Sequence, residues 1–243
     1  MKYYAANWKM NKGPKATRDF FSEFKLKYKP NDQKSLIFFP SAFSLEAAAN
    51  ALDGSQIQFG AQNCYSEVKG AFTGENSSDV VRELGGQWVL VGHSERRSLF
   101  SESDKMISKK IAHIQGLDLV PLLCIGETLE ERQGMETSLI LEMQMRRDLS
   151  QADKNKKIAI AYEPVWAIGT GKVATTTQVV EAHEHIRTVL GLLGFSKTTP
   201  ILYGGSVKPE NASELISLPH VDGFLIGGAS LEVNSFLDIV NAD

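Results

Sequence analysis

The chain has 243 residues, of which 42% are hydrophobic and 23% charged, and a formal net charge of −3. These proportions match ordinary globular proteins and supply enough apolar material for a sizeable core, which excludes a disordered chain. The slight acidic excess excludes the basic footprint of a nucleic-acid binder, and no apolar run is long enough for a membrane-spanning helix. In chain order, short apolar and β-branched runs alternate with longer segments of helical period, the pattern of βα units and a parallel sheet. Strands are expected over residues 3–8, 35–39, 57–62, 88–93, 119–124, 157–162, 200–203 and 221–226. Runs such as Leu36-Ile37-Phe38-Phe39 and Val120-Pro121-Leu122-Leu123 are apolar throughout, as strands covered on both faces require. Thr175 with Gln178 spells a capping box, and Val179, His183, Ile186, Leu190 and Leu193 follow at helical spacing. Pro209 suits the first turn of a helix carrying Ala212, Leu215 and Ile216, and Leu231, Phe236, Leu237 and Val240 close the last unit. No linker or charge block divides the chain. Eight units of about thirty residues predict one (β/α)8 barrel over residues 1–243.

Residues 1–9 lack the apolar run and cleavage site of a secretory signal. Cys64 and Cys124 form no CxxC pair and read as reduced, buried packing residues of a cytoplasmic protein. His113, His183, His185 and His220 read as structural. His183 and His185 are two apart on a helix and make poor joint metal ligands, so no metal is expected. Gly169-Thr170-Gly171-Lys172 lacks the upstream glycine and the following Ser or Thr of a nucleotide-binding loop.

An α/β barrel builds its site at the carboxyl ends of its strands, so the polar residues there are the candidates. The first strand ends in Asn7-Trp8-Lys9, the fourth in His93-Ser94-Glu95 and the sixth in Glu163-Pro164. Pro164 holds Glu163 extended, at the strand end and out of a helix. The seventh and eighth strands run into Gly204-Gly205-Ser206 and Gly227-Gly228, where backbone N–H groups can approach an anion, and a helix is expected to open after each turn. One carboxylate, one imidazole, one ammonium and a phosphate cradle suit proton transfer beside the carbonyl of a sugar phosphate.

The blocks Asn7-Trp8-Lys9-Met10, Gln62-Asn63-Cys64, Gly70-Ala71-Phe72-Thr73-Gly74-Glu75, Gly92-His93-Ser94-Glu95-Arg96-Arg97, Tyr162-Glu163-Pro164-Val165-Trp166-Ala167-Ile168-Gly169-Thr170-Gly171, Tyr203-Gly204-Gly205-Ser206-Val207 and Asp222-Gly223-Phe224-Leu225-Ile226-Gly227-Gly228-Ala229-Ser230-Leu231 resemble the triosephosphate isomerase family, in order and over nearly the whole chain. The resemblance implies a cofactor-free isomerase acting on a triose phosphate. It matches Glu163 to the base, His93 to a neutral imidazole that polarises the carbonyl, and Lys9 to the cation beside the substrate oxygens, with Asn7 its neighbour and Glu95 its support. Gly169, Ser206, Gly227 and Gly228 match phosphate-binding positions. Residues 164–173 match a closing lid with Gly169 and Gly171 as hinges, and Thr73 matches the tip of an arm that enters the partner of a homodimer. A helix opening at Ser94 is expected to lower the pKa of His93. Asn76-Ser77-Ser78 departs from the family pattern just beyond that arm. A catalytically inactive barrel kept as a binding protein is the alternative from another class; an aldolase would need a lysine well inside the barrel.

Overall fold

The computed structural model describes residues 1–169 and 172–242. Its eight parallel strands, β1 (Lys2–Asn7), β2 (Lys34–Phe39), β3 (Gln58–Ala61), β4 (Trp88–Val91), β5 (Val120–Ile125), β6 (Ala159–Tyr162), β7 (Ile201–Tyr203) and β8 (Gly223–Ile226), form a closed barrel in sequence order. The ring shuts where β8 pairs with β1, Tyr4 beside Phe224 and Ala6 beside Ile226. Helices α1 (Pro14–Lys27), α2 (Leu45–Leu52), α3 (Ser78–Glu83), α4 (Ser94–Leu99), α5 (Asp104–Gly116), α6 (Leu129–Gln133), α7 (Thr137–Asp148), α8 (Thr176–Leu192), α9 (Pro209–Ile216) and α10 (Val233–Val240) connect the strands. The expected capping box is present at Thr175 and Gln178, and Pro209 occupies the first turn of α9.

Period-two alternation divides the apolar residues between two cores. Ala5, Ile37, Phe39, Trp88, Leu90, Leu122, Cys124, Ala159, Ala161, Leu202 and Leu225 form the cluster that fills the barrel. Their neighbours, among them Tyr4, Phe38, Val89, Leu123, Ile160, Tyr203 and Phe224, belong to the larger cluster with the helices. The densest part is aromatic: Trp8 stacks on Phe21 at 5.4 Å and meets Phe20 and Phe38 edge-on, and Phe236 of α10 packs on Phe38 at 5.1 Å. Such offset and edge-to-face pairs add roughly 0.5–1.5 kcal/mol each beyond the area they bury.

The same alternation delivers the site. Continuing the inward positions by two residues beyond Ala5, Ala161, Leu202 and Leu225 gives Asn7, Glu163, Gly204 and Gly227. His93 falls on the opposite parity and faces inward only because Gly92, at φ +69°, reverses the chain before it, a conformation costly for residues with a Cβ. Strands β3 and β4 end earlier than expected, at Ala61 and Val91, and β4 stops where left-handed Gly92 takes the chain out of the ladder. After β8 the glycine turn enters a short 3-10 turn over Gly228–Ser230, and α10 opens only at Val233; the expected helix after β7 does follow, opening at Pro209.

Candidate active site

Glu163 and His93 are in contact at the carboxyl end of the barrel, both almost fully buried. Glu163 Oε1 lies 3.0 Å from His93 Nε2, and its Oε2 accepts the Ser94 N–H at 3.2 Å. The main chain of Glu163 prolongs the β5–β6 ladder by donating its N–H to the Ile125 carbonyl at 2.8 Å. Two glycines make room for it. A Cβ at Gly126 would fall 1.7 Å from the Glu163 carbonyl oxygen, and one at Gly204 would fall 2.9 Å from Glu163 Cγ.

His93 caps α4: its Nδ1 accepts the N–H of Glu95 at 3.2 Å, so the ring proton of the neutral imidazole sits on Nε2. Burial disfavours the imidazolium, and the Lys9 ammonium acts in the same direction. The Glu163 carboxylate, with a lesser contribution from Glu95, outweighs both and holds the His93 pKa above its ordinary value. Burial pushes Glu163 up, but His93, the Ser94 N–H and Lys9 together leave its pKa below the ordinary carboxylate value. The expectation of a depressed His93 pKa is therefore corrected for this arrangement. The helix does open at Ser94, but a carboxylate in contact with Nε2 exceeds the influence of a helix end.

Lys9 follows β1 in the left-handed region, at φ +50°. Such a residue persists only where its surroundings over-determine it. Here the Asn7 side-chain oxygen accepts the Lys9 N–H at 3.0 Å, and Gln62 Nε2 donates to the Lys9 carbonyl at 2.8 Å. The ammonium meets Glu95 Oε1 at 2.5 Å. Trp8 connects this turn to the far side of the site by donating from Nε1 to the Ser230 carbonyl at 3.2 Å.

Asn7, Lys9, His93, Glu163, Gly169, Ser206, Gly227 and Gly228 line one cavity of about 260 Å³. Of the other two expected site residues, Glu95 lines the 340 Å³ hollow next to this cavity, and Thr73, exposed on the loop after β3, lies apart from both. That hollow shares Asn7, Lys9 and His93 with the cavity and is rimmed by the exposed side chains of Met10, Phe43 and Phe100. The loop carrying Thr73 is held by its own contacts. Tyr65 N–H donates to the Asn76 carbonyl, Ser77 Oγ donates to the Val68 carbonyl and caps α3, and Phe72 packs on Tyr65 with ring centroids 4.4 Å apart. Asn76 and Ser77, part of the departure noted above, thus close the base of the loop, and Phe72, though exposed, packs on Tyr65 of its own loop.

Sequence reasoning missed Glu127. This fully buried carboxylate accepts from Tyr162 Oη at 3.1 Å, Trp166 Nε1 at 3.0 Å and Arg132 Nη1 at 3.4 Å, and its carbonyl accepts the Val165 N–H. It anchors the first half of the expected lid, where Val165–Ala167 form a 3-10 turn. Gly169 has φ +66°, whereas Thr170 and Gly171, the second expected hinge, lie outside the described residues. Cys64 and Cys124 are buried free thiols; burial and the Glu163 charge push Cys124 well above the ordinary thiol value, which leaves it inert as a nucleophile. No cluster of three metal-ligating side chains and no helix long and apolar enough to cross a membrane occurs among the described residues.

A buried carboxylate in contact with an imidazole, facing glycine turns across one barrel mouth, is the arrangement of an α/β-barrel isomerase. The family model described as triosephosphate isomerase matches residues 2–243. The chain is 58% identical over 241 residues to triosephosphate isomerase of Bdellovibrio bacteriovorus, covering 99% of each. It is 44% identical to the proteins of that name from Alkaliphilus metalliredigens, over 98% of this chain and 97% of the other, and Aquifex aeolicus, over 97% of each. The chain belongs to the triosephosphate isomerase family, and is an isomerase.

Proposed function

We propose that this enzyme interconverts dihydroxyacetone phosphate and D-glyceraldehyde 3-phosphate through an enediolate, with Glu163 moving the proton, His93 donating to the substrate oxygens and Lys9 balancing their charge. The observation that carries the assignment is the Glu163–His93 contact at 3.0 Å beside a cavity whose other walls are Lys9, Ser206, Gly227 and Gly228. A buried carboxylate is a stronger base toward a carbon acid than a hydrated one, provided it can turn an oxygen from Ser94 into the cavity. As it turns, its charge leaves Nε2; burial, Lys9 and the α4 end then favour the neutral imidazole, opposed only by Glu95. The Nδ1 contact with Glu95 N–H keeps the proton on Nε2, where a developing oxyanion receives it as a hydrogen bond. The phosphate falls to the backbone N–H groups of Gly169, Gly227 and Gly228 and to Ser206. The lid over residues 164–173 shields the enediolate, which would otherwise expel phosphate.

The enzyme works as a homodimer in this reading. The hollow beside Lys9 and Glu95 accepts the Thr73 loop of a second copy, and exposed Met10, Phe43 and Phe100 supply apolar surface for the contact. The decisive test of the chemistry is a coupled assay that starts from glyceraldehyde 3-phosphate and reads dihydroxyacetone phosphate. Glu163→Gln should lose about 10²- to 10⁴-fold in turnover, the contribution of a positioned base. Wild-type turnover in that variant would move the base elsewhere, and an inactive wild type would favour a binding role.

A further inference from the structure

His93 stands after β4 and Glu163 after β6, so the spacing of the reacting pair is set across the intervening strand β5. Backbone pairing between β4 and β5 has its last partners at Val91 and Leu123. One residue further on, Gly92 and Cys124 present carbonyls that the ladder no longer serves, and the guanidinium of Arg97 takes over. Its Nε donates to the Gly92 carbonyl at 2.8 Å and its Nη2 to the Cys124 carbonyl at 3.0 Å. The fork is held from behind by Asp148 Oδ2 at 2.6 Å, fully buried at the end of α7, and by Asp104 Oδ1 at 3.0 Å. Gly92 is matched to it: a Cβ there would meet Arg97 Nη2 at 2.8 Å.

Arg97 also belongs to α4, the helix whose first two N–H groups hold the reacting pair, Ser94 on Glu163 Oε2 and Glu95 on His93 Nδ1. The next residue of β5, Ile125, carries Glu163 through its main-chain hydrogen bond. A single guanidinium therefore joins the support of the imidazole to the support of the carboxylate. We propose that Arg97, held by Asp148, is a positioning residue that fixes the separation of His93 and Glu163 by extending the β4–β5 ladder with its side chain. The planar fork is what the task needs: three of its N–H groups reach two carbonyls and a carboxylate at once, whereas an ammonium is a point donor on a flexible stem.

The inference rests on the base and electrophile assignment above, and its test reads spacing separately from turnover. The full chain is purified as Arg97→Lys and Asp148→Asn, with Glu23→Gln, in the exposed ion pair with Lys27 on α1, as the control. Measured are kcat and KM, the melting temperature, and the titration of labelled His93 by NMR in the absence of substrate. Misplacement by about 1 Å costs on the order of 10²-fold, so Arg97→Lys should lose about 10- to 100-fold in kcat. KM should stay within about twofold, because Ser206, Gly227 and Gly228 stand on other strands. The His93 midpoint should fall, since a more distant Glu163 raises it less. Asp148→Asn should shift both readings in the same sense by a smaller factor, and Glu23→Gln neither. A folded Arg97→Lys protein with wild-type kcat, or one with lowered kcat and an unmoved His93 midpoint, overturns the proposal. If Arg97→Lys fails to fold, Asp148→Asn decides on the same two readings. Should Glu163→Gln keep wild-type turnover, the base assignment fails, while the His93 midpoint still tests the brace.

Discussion

Substituting Gly126 by alanine adds one methyl group at the point where the strand before the base touches the strand that carries it. The new Cβ would lie 1.7 Å from the Glu163 carbonyl oxygen and 2.6 Å from its carbonyl carbon. Non-bonded heavy atoms settle near 3.5 Å, so the two segments must separate by roughly 1.5–2 Å. Gly126 is poorly placed to yield. Its N–H donates to Gln144 Oε1 at 2.9 Å and its carbonyl accepts from Gln144 Nε2 at 3.0 Å, a two-point clamp onto α7. The movement therefore falls on Glu163, whose carboxylate would leave its place beside His93. Overpacking of this kind costs about 1–3 kcal/mol of stability, which a barrel with an otherwise intact core tolerates. The catalytic loss is larger in proportion: a shift above about 1 Å predicts at least 10²-fold in kcat. KM should change little, because Ser206, Gly227 and Gly228, the proposed phosphate contacts, follow β7 and β8. The coupled assay gives both constants, and a thermal melt confirms the folded state. Gly134→Ala is the control; its Cβ would meet nothing closer than 3.4 Å. A folded Gly126→Ala protein with kcat near wild type would refute the argument that β5 holds the base in position.

Glu163→Gln should also lower the His93 titration midpoint by NMR, because the carboxylate is what raises it; an unchanged midpoint would remove Glu163 as the cause. Thr73→Arg should shift the protein from about twice 26.8 kDa toward monomer in analytical ultracentrifugation, with turnover falling in parallel. A fully active wild-type monomer at nanomolar concentration would break that link. His183 is buried with Nδ1 donating to the His220 carbonyl at 2.9 Å, and burial lowers its pKa to about 4. The unfolded chain then binds the extra proton between about pH 6.5 and pH 4, so stability from this group is complete above that window and is lost as pH falls through it. The full effect is on the order of 3 kcal/mol. Denaturant titrations of wild type and His183→Gln should converge toward pH 4; a constant difference across the window would show that the imidazole does not titrate as described.

The strands were legible because a barrel buries both faces of each one, and unbroken apolar runs such as those of β2 and β5 have few other uses. Their ends were less so, since pairing can stop where a side chain is diverted to the site, as at His93. Asn7, Lys9, His93, Glu163, Ser206 and the glycines stand at strand ends and carry motif context, and they line one cavity. Glu127, Gly126 and Arg97 were hidden for a common reason. Glu127 matters through Tyr162 and Trp166, Gly126 through the carbonyl of Glu163, and Arg97 through carbonyls on two strands. Each relation spans neighbouring strands and leaves no local period or spacing. The direction of the His93 shift escaped for the same cause: the helix end is local in sequence, whereas the carboxylate that overrides it comes from a distant strand.

Closure of the ring through β8 and β1 has a consequence for synthesis. Tyr4 and Ala6 acquire their second pairing partners only when Phe224 and Ile226 have emerged, and Trp8 finds its acceptor at Ser230 later still. The cavity draws its walls from Asn7 through Ala229, so a ribosome-tethered fragment ending before β8 has the base and the imidazole but an open seam where the phosphate belongs. The first strand waits for the last. Activity appearing on translating ribosomes would therefore time the moment of closure, with the enzyme serving as its own clock.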